Sequence, residues 1–172
     1  MKKQLRLLFA ALAIVALPVL AIAAGDPPAG WPTNLRWDLV PKWIAWDGAK
    51  ATITWPPTDG CAAAPVTEVV PTGTLIDRFG SEGGTFFSPK GESFKSRAVP
   101  YVCKAMDYRV YKVLQPLTVK ACKAAPWFDE PGGAKQVQTA DPAYKLVAAG
   151  TIVAETYVVG GSNSPMPQCG NP

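Results

Sequence analysis

The sequence predicts an α+β fold that is mostly β: a compact domain of antiparallel strands with short helices, held by disulfides. Three observations carry this. Short alternating, β-branched stretches such as "KATITW" and "YRVYKVLQPLTVKACKA" recur between turn residues. Eighteen prolines and fifteen glycines leave little room for long helices. Four cysteines, Cys61, Cys103, Cys122 and Cys169, all follow a segment that reads as an export signal. At 172 residues the chain holds one ordinary domain.

In chain order, residues 1–24 read as a signal peptide. Lys2, Lys3 and Arg6 precede the uncharged run "LLFAALAIVALPVLAIAA", and Ala21-Ile22-Ala23 gives a small-x-small site with cleavage after Ala23 or Ala24. An uncleaved anchor is the rival reading; Pro18 and the crowd of small residues speak against it. The mature chain is expected to be secreted or periplasmic, with no membrane attachment. Losing those three cations takes the formal net charge from +4 to +1. So weak a charge argues against a nucleic-acid partner.

Residues 25–71 form a Pro/Trp-rich extension expected to pack on the core. Five of the six tryptophans fall within residues 25–60, either capping one side of a small core or forming a carbohydrate or partner surface. "KATITW" reads as a short strand. A further strand begins near Gly73, and "EGGTFFSP" supplies a turn and another short strand. Two strands flank Gln115-Pro116, a short helix runs from Pro142 to a stop at Gly150, and a closing strand follows. Residues 157–172 are a loop-like tail held by Cys169.

Four cysteines in an exported chain favour two disulfides over zinc, which would want paired CxxC spacing or histidine partners. The expected pairing is Cys103–Cys122 with Cys61–Cys169, because the second bridge would tie both ends of the domain together.

The chain contains no histidine. That excludes Ser-His-Asp and Cys-His catalysis and the commonest general base. Glu82, Asp129 and Glu130 are the candidates for a paired-carboxylate hydrolase. "GSEGG" is neither a dinucleotide fingerprint nor a P-loop. Arg78 and Arg97 suit a pyrophosphate, whose oxygens accept forked guanidinium hydrogen bonds. The alternative is an ion pair, of Arg78 with Asp77 or Glu82, and Asp77 reads as an acceptor that fixes the turn. Phe79 and Phe86 can stack on flat rings. Alternation sends Phe86 and Phe87 to opposite faces of their strand. Trp127 and Phe128 read as anchors of the following Pro-Gly-Gly loop.

Taken together, "GTLIDRFGSEGGTFFSP" (73–89), "FKSRAVP" (94–100), "YRVYKVLQPLTV" (108–119), "APWFDEPGGAKQ" (125–136) and "LVAAGTIVAE" (146–155) resemble the catalytic domain of the tuberculosis necrotizing toxin family, which includes fungal surface NAD glycohydrolases. The resemblance covers residues 72–156. It implies a reduced relative of the ADP-ribosyltransferase fold and cleavage of the nicotinamide–ribose bond of NAD+ or NADP+, giving nicotinamide and ADP-ribose. The dinucleotide is then the substrate, and no cofactor is needed. It also implies that Arg78 and Phe86 bind the dinucleotide, with Phe86 on the ligand face. Arg97 and Gln136 support cleavage. A toxin would bring an immunity protein as a partner. Two departures stand out: a shorter segment between Arg97 and Gln136 than in many members, and no histidine near the site. The competing readings are a mono-ADP-ribosyltransferase relying on Glu82, and a secreted binding module working through its tryptophans.

Overall fold

Strand pairing among the described residues is antiparallel throughout. The computed structural model describes residues 25–170, so the predicted signal peptide lies outside the described residues. Among the described residues no helix is long and apolar enough to cross a membrane. The strands are β1 (Ile44–Trp46), β2 (Ala51–Ile53), β3 (Val66–Val70), β4 (Leu75–Phe79), β5 (Phe86–Pro89), β6 (Tyr108–Val113), β7 (Leu117–Lys123), β8 (Lys135–Gln138) and β9 (Ile152–Val158), with one α-helix, α1 (Ala143–Ala148). β1 and β2 make a separate hairpin, while the others form a seven-stranded sheet in the order β3-β7-β8-β5-β4-β6-β9. The mostly-β expectation holds.

The predicted strands at "TLIDRF", "FFSP", on both sides of Gln115-Pro116 and after Gly150 are all present, as is the short helix. Three strands escaped the sequence reading, β1, β3 and β8, and β1 is only three residues long. β3 shows only Val70 to the interior, and β8 has a single buried residue, Val137, between two glutamines. Neither carries enough apolar alternation to stand out.

β5 joins the two halves of the sheet by changing partners along its length. Phe86 and Phe87 pair with Gln138 and Val137 of β8, whereas Ser88 and Pro89 pair with Asp77 and Ile76 of β4. β4 and β5 therefore separate at the Phe86 end, on either side of the 80–85 turn. Beneath the sheet, Ile76, Phe87, Tyr111, Val113, Val119, Val137, Leu146 and Ile152 form the main core.

A second apolar cluster lies in the extension. Trp31, Leu35, Leu39 and Ile44 bury against Phe128, with Trp37, Trp43, Trp46 and Trp127 packed around them. Most of the tryptophans thus cap a small core, and Trp127 and Phe128 anchor their loop as expected.

The disulfide pairing differs from the one expected. The bridges are Cys61–Cys122 and Cys103–Cys169. The reason is strand order. β6 and β7 are consecutive in sequence but lie in different halves of the sheet, β6 between β4 and β9, β7 between β3 and β8. Cys103, just before β6, is thereby carried away from Cys122 on β7. Residues 61 and 62 run instead beside the end of β7, where Cys61 bridges Ala124 and the Ala62 amide donates to the Lys123 carbonyl at 2.9 Å.

Candidate active site

The opening between β4 and β5 leads into a cavity of about 790 Å³. Five residues singled out from the sequence, Arg78, Phe79, Phe86, Arg97 and Gln136, line it together. They come from β4, β5, β8 and the turn after Phe94, so they meet only through the strand order.

Arg78 is 7% exposed, and its guanidinium lies 5.5 Å from the centre of the Phe87 ring. One Nη donates a long hydrogen bond to the Phe86 carbonyl, 3.4 Å, and its buried Nε finds no acceptor among the described residues. Among the described residues no carboxylate pairs with it: Asp77 is taken by Arg97 at 2.6 Å and Glu82 by Arg109 at 3.3 Å. Burial lowers the Arg78 pKa from its ordinary value. Gly84 makes the space. A Cβ there would fall 2.0 Å from an Arg78 nitrogen, closer than any real contact.

Arg97 is bound differently. One Nη donates to fully buried Asp77 at 2.6 Å and to the Glu92 carbonyl at 3.0 Å, while the buried Nε has no partner among the described residues. Asp77 also accepts from the Tyr108 hydroxyl, 2.8 Å, and the Gly91 amide, 3.3 Å, so it is an acceptor as expected, but the segment it fixes is the loop after β5 and not the glycine-rich turn. Burial raises the Asp77 pKa, against the pull of the Arg97 charge and of its hydrogen bonds. Phe79 stacks edge-on with Phe94 and packs against Tyr108, its ring 5.1 Å from the Arg97 guanidinium, so it serves core and cavity alike.

Strand alternation separates the two adjacent phenylalanines. Phe87 is 2% exposed in the core, whereas Phe86 is 41% exposed at the cavity. Gln136, on β8, directs its amide nitrogen to the Asp59 carbonyl at 3.0 Å and to within 3.9 Å of both sulfurs of Cys61–Cys122. Its Oε1 accepts no hydrogen bond from the described residues.

The carboxylates proposed from sequence do not assemble. Asp129 pairs with Lys42 and Glu130 with Arg36, and neither they nor Glu82 line the cavity. Among the described residues no group of three or more Cys, Asp or Glu converges as a metal site would. The extension supplies wall residues that sequence reasoning missed, notably Trp55, Pro56, Asp59 and Gly60. Their signal was the "TDGC" turn, where three successive residues, Thr58, Asp59 and Gly60, have positive φ.

An antiparallel sheet split around one cationic, aromatic-lined cavity is the architecture of this chain, and the comparisons give it a family. Residues 69–154 match the family model described as tuberculosis necrotizing toxin, and the chain belongs to that family. A relative, the conidial surface nicotinamide adenine dinucleotide glycohydrolase of Aspergillus fumigatus, is 31% identical over 115 residues, 59% of this chain and 49% of its own. The chain thus spans about half the length of that curated relative. Among solved structures, tuberculosis necrotizing toxin complexed with its immunity factor shares the fold, with a TM-score of 0.52 at 17% identity, covering 61% of this chain and 63% of the toxin chain.

Proposed function

We propose that this protein is an exported NAD(P)+ glycohydrolase that cleaves the nicotinamide–ribose bond, with residues 72–156 as its hydrolase domain and residues 25–71 completing the cavity wall. One observation carries the reading: Arg78 is a cavity-lining guanidinium, nearly buried, with no carboxylate among the described residues paired to its charge. A pyrophosphate entering the cavity supplies the missing anion. The cavity volume suits a ligand of that size.

The chemistry asks little acid–base help. In NAD+ the nicotinamide nitrogen already carries positive charge, so the C1′–N bond breaks with its electron pair going to the ring, which leaves neutral. Water then bonds to C1′ of an oxocarbenium-like ribose, and its proton passes to solvent. A chain without histidine can do this. Phe86 offers a ring face to the nicotinamide. Arg97, steadied by Asp77, lines the same wall. Gln136, with its amide nitrogen engaged by Asp59, presents Oε1 as an acceptor for the attacking water.

The test is release of nicotinamide from NAD+ by the purified mature chain. Gln136→Ala is expected to lower kcat by on the order of a hundredfold to a thousandfold, with a smaller change in KM and an unchanged melting curve. An inactive parent would favour the binding-module reading. Label transferred from NAD to protein would favour the transferase, although Glu82, its candidate residue, is held by Arg109 outside the cavity lining. The toxin relative was solved with an immunity factor. A cognate inhibitor of this chain belongs to the same proposal, as does a role as a toxin or a scavenger of extracellular NAD.

A further inference from the structure

We infer that the Cys61–Cys122 cystine is a positioning group for Gln136, so that turnover depends on the oxidation state of this one bond. The inference rests on the glycohydrolase reading and adds a control to it. Both sulfurs lie 3.9 Å from the Gln136 amide nitrogen, and Cys122 is the register partner of Gln136 on the neighbouring strand. The other half of the cystine closes the turn that orients the amide. Thr58, Asp59 and Gly60 hold three successive positive φ angles, a conformation that residues other than glycine adopt only where the surroundings impose it.

Three tethers impose it here: the bridge at Cys61, the Ala62 amide on the Lys123 carbonyl at 2.9 Å, and the Ala125 amide on the Gly60 carbonyl at 2.7 Å. The product of that geometry is the Asp59 carbonyl, which accepts the Gln136 amide hydrogen at 3.0 Å. With the nitrogen engaged, the amide is fixed with Oε1 left to accept. None of residues 58–61 belongs to the stretch matched by the family model, which begins at residue 69. The device therefore joins a turn outside that stretch to Cys122 and Gln136 inside it.

Reduction would undo it. A dithiol gives two electrons and two protons to the bridge, the sulfur–sulfur bond breaks, Cys61 and Cys122 become thiols, and the dithiol closes to its own cyclic disulfide. The 58–60 turn then loses its covalent tie to β7 and Gln136 loses its fixed acceptor. Compartments rich in small thiols would hold the enzyme slow, and oxidising ones would hold it fast. A chain not yet exported would accordingly spare the NAD of the cell that makes it.

The experiment compares the oxidised parent with a Cys61→Ala/Cys122→Ala double variant, each assayed for nicotinamide release below its own melting transition. The expected result is a fall in kcat on the order of a hundredfold, with KM for NAD+ nearly unchanged. Dithiothreitol should slow the parent by a similar factor, and reoxidation should restore it. The double variant should be insensitive to dithiothreitol. A folded double variant with parental kcat overturns the inference. So does a double variant as sensitive to dithiothreitol as the parent, since the sensitivity then belongs to Cys103–Cys169. Should the double variant not fold, Gly60→Ala decides. It keeps the cystine but places a side chain where φ is +84°, 3.6 Å from Gln136 Oε1, and should lower kcat with little change in KM. Parental kcat in that variant overturns the inference. A parent that releases no nicotinamide fails the glycohydrolase reading instead, and the two failures are distinguishable.

Discussion

A guanidinium withdrawn from water costs stability unless its charge and donors are met, and replacing such a group by an apolar one of similar length often stabilises a fold. Arg78 is in that position, since among the described residues its only hydrogen bond is the long one to the Phe86 carbonyl. Arg78→Met is therefore expected to raise the melting temperature of the free protein while raising KM for NAD+ by at least about tenfold. Calorimetry and steady-state kinetics on the same preparation check both. A variant that melts lower than the parent would show that Arg78 supports the fold rather than the ligand. Part of this was legible beforehand. Asp77 and Arg78 are neighbours on one strand, so alternation already sends their side chains to opposite faces. What the sequence hid was the destination of each carboxylate, because Arg97 and Arg109 reach Asp77 and Glu82 from 20 and 27 residues away.

At the scale of elements, β5 does two jobs with adjacent side chains. Phe87 fills the main core against Tyr111, at 5.8 Å between ring centres, while Phe86 faces the cavity. Phe87→Ala should cost about 3–5 kcal/mol of stability, as expected for a buried ring. Phe86→Ala should cost far less stability and should raise KM for NAD+. Denaturant titration and kinetics on the pair separate the roles, and equal losses of stability would break the assignment. β7 was readable because it repeats apolar residues at period two, and β6 because it does so on either side of a register shift, whereas β9 was placed by the Gly150 stop before it. β8 was not, since its one buried residue sits between two glutamines, and nothing in the sequence put Gln136 on a strand. Strand order was beyond reach as well. Residues 90–107 and 124–134 are long connections, and even the three-residue link 114–116 carries the chain from β6 in one half of the sheet to β7 in the other instead of closing a hairpin, which is also why the disulfides were mispaired.

For the whole molecule, the absence of histidine removes the side chain that ordinarily titrates near neutrality. The prediction is a kcat/KM for NAD+ that is flat between roughly pH 6 and pH 9. A change of tenfold or more inside that window would reveal a titrating catalytic group. Stability should behave otherwise. Burial holds the Asp77 pKa above its ordinary value, so the folded state keeps that proton more readily than the unfolded one. Its contribution to stability is then greatest below the unfolded pKa and declines as pH rises through the folded one. In Asp77→Asn that decline should be absent from the melting-temperature profile.

The two bridges interleave along the chain, since Cys103 lies inside the span closed by Cys61–Cys122 and Cys169 lies beyond it. Pulled from its two ends, the oxidised polypeptide cannot straighten. The taut path runs from residue 25 to Cys61, crosses to Cys122, doubles back to Cys103, and crosses again to Cys169. Tension would extend only about 200 Å of chain, against about 500 Å for the same residues with both bridges open. The segments between 61 and 103 and between 122 and 169 would hang as slack loops beside the taut strand. A pore that admits a single extended chain is closed to this protein in its oxidised form. Any passage across a second membrane would have to carry it folded, or cut its cross-links first.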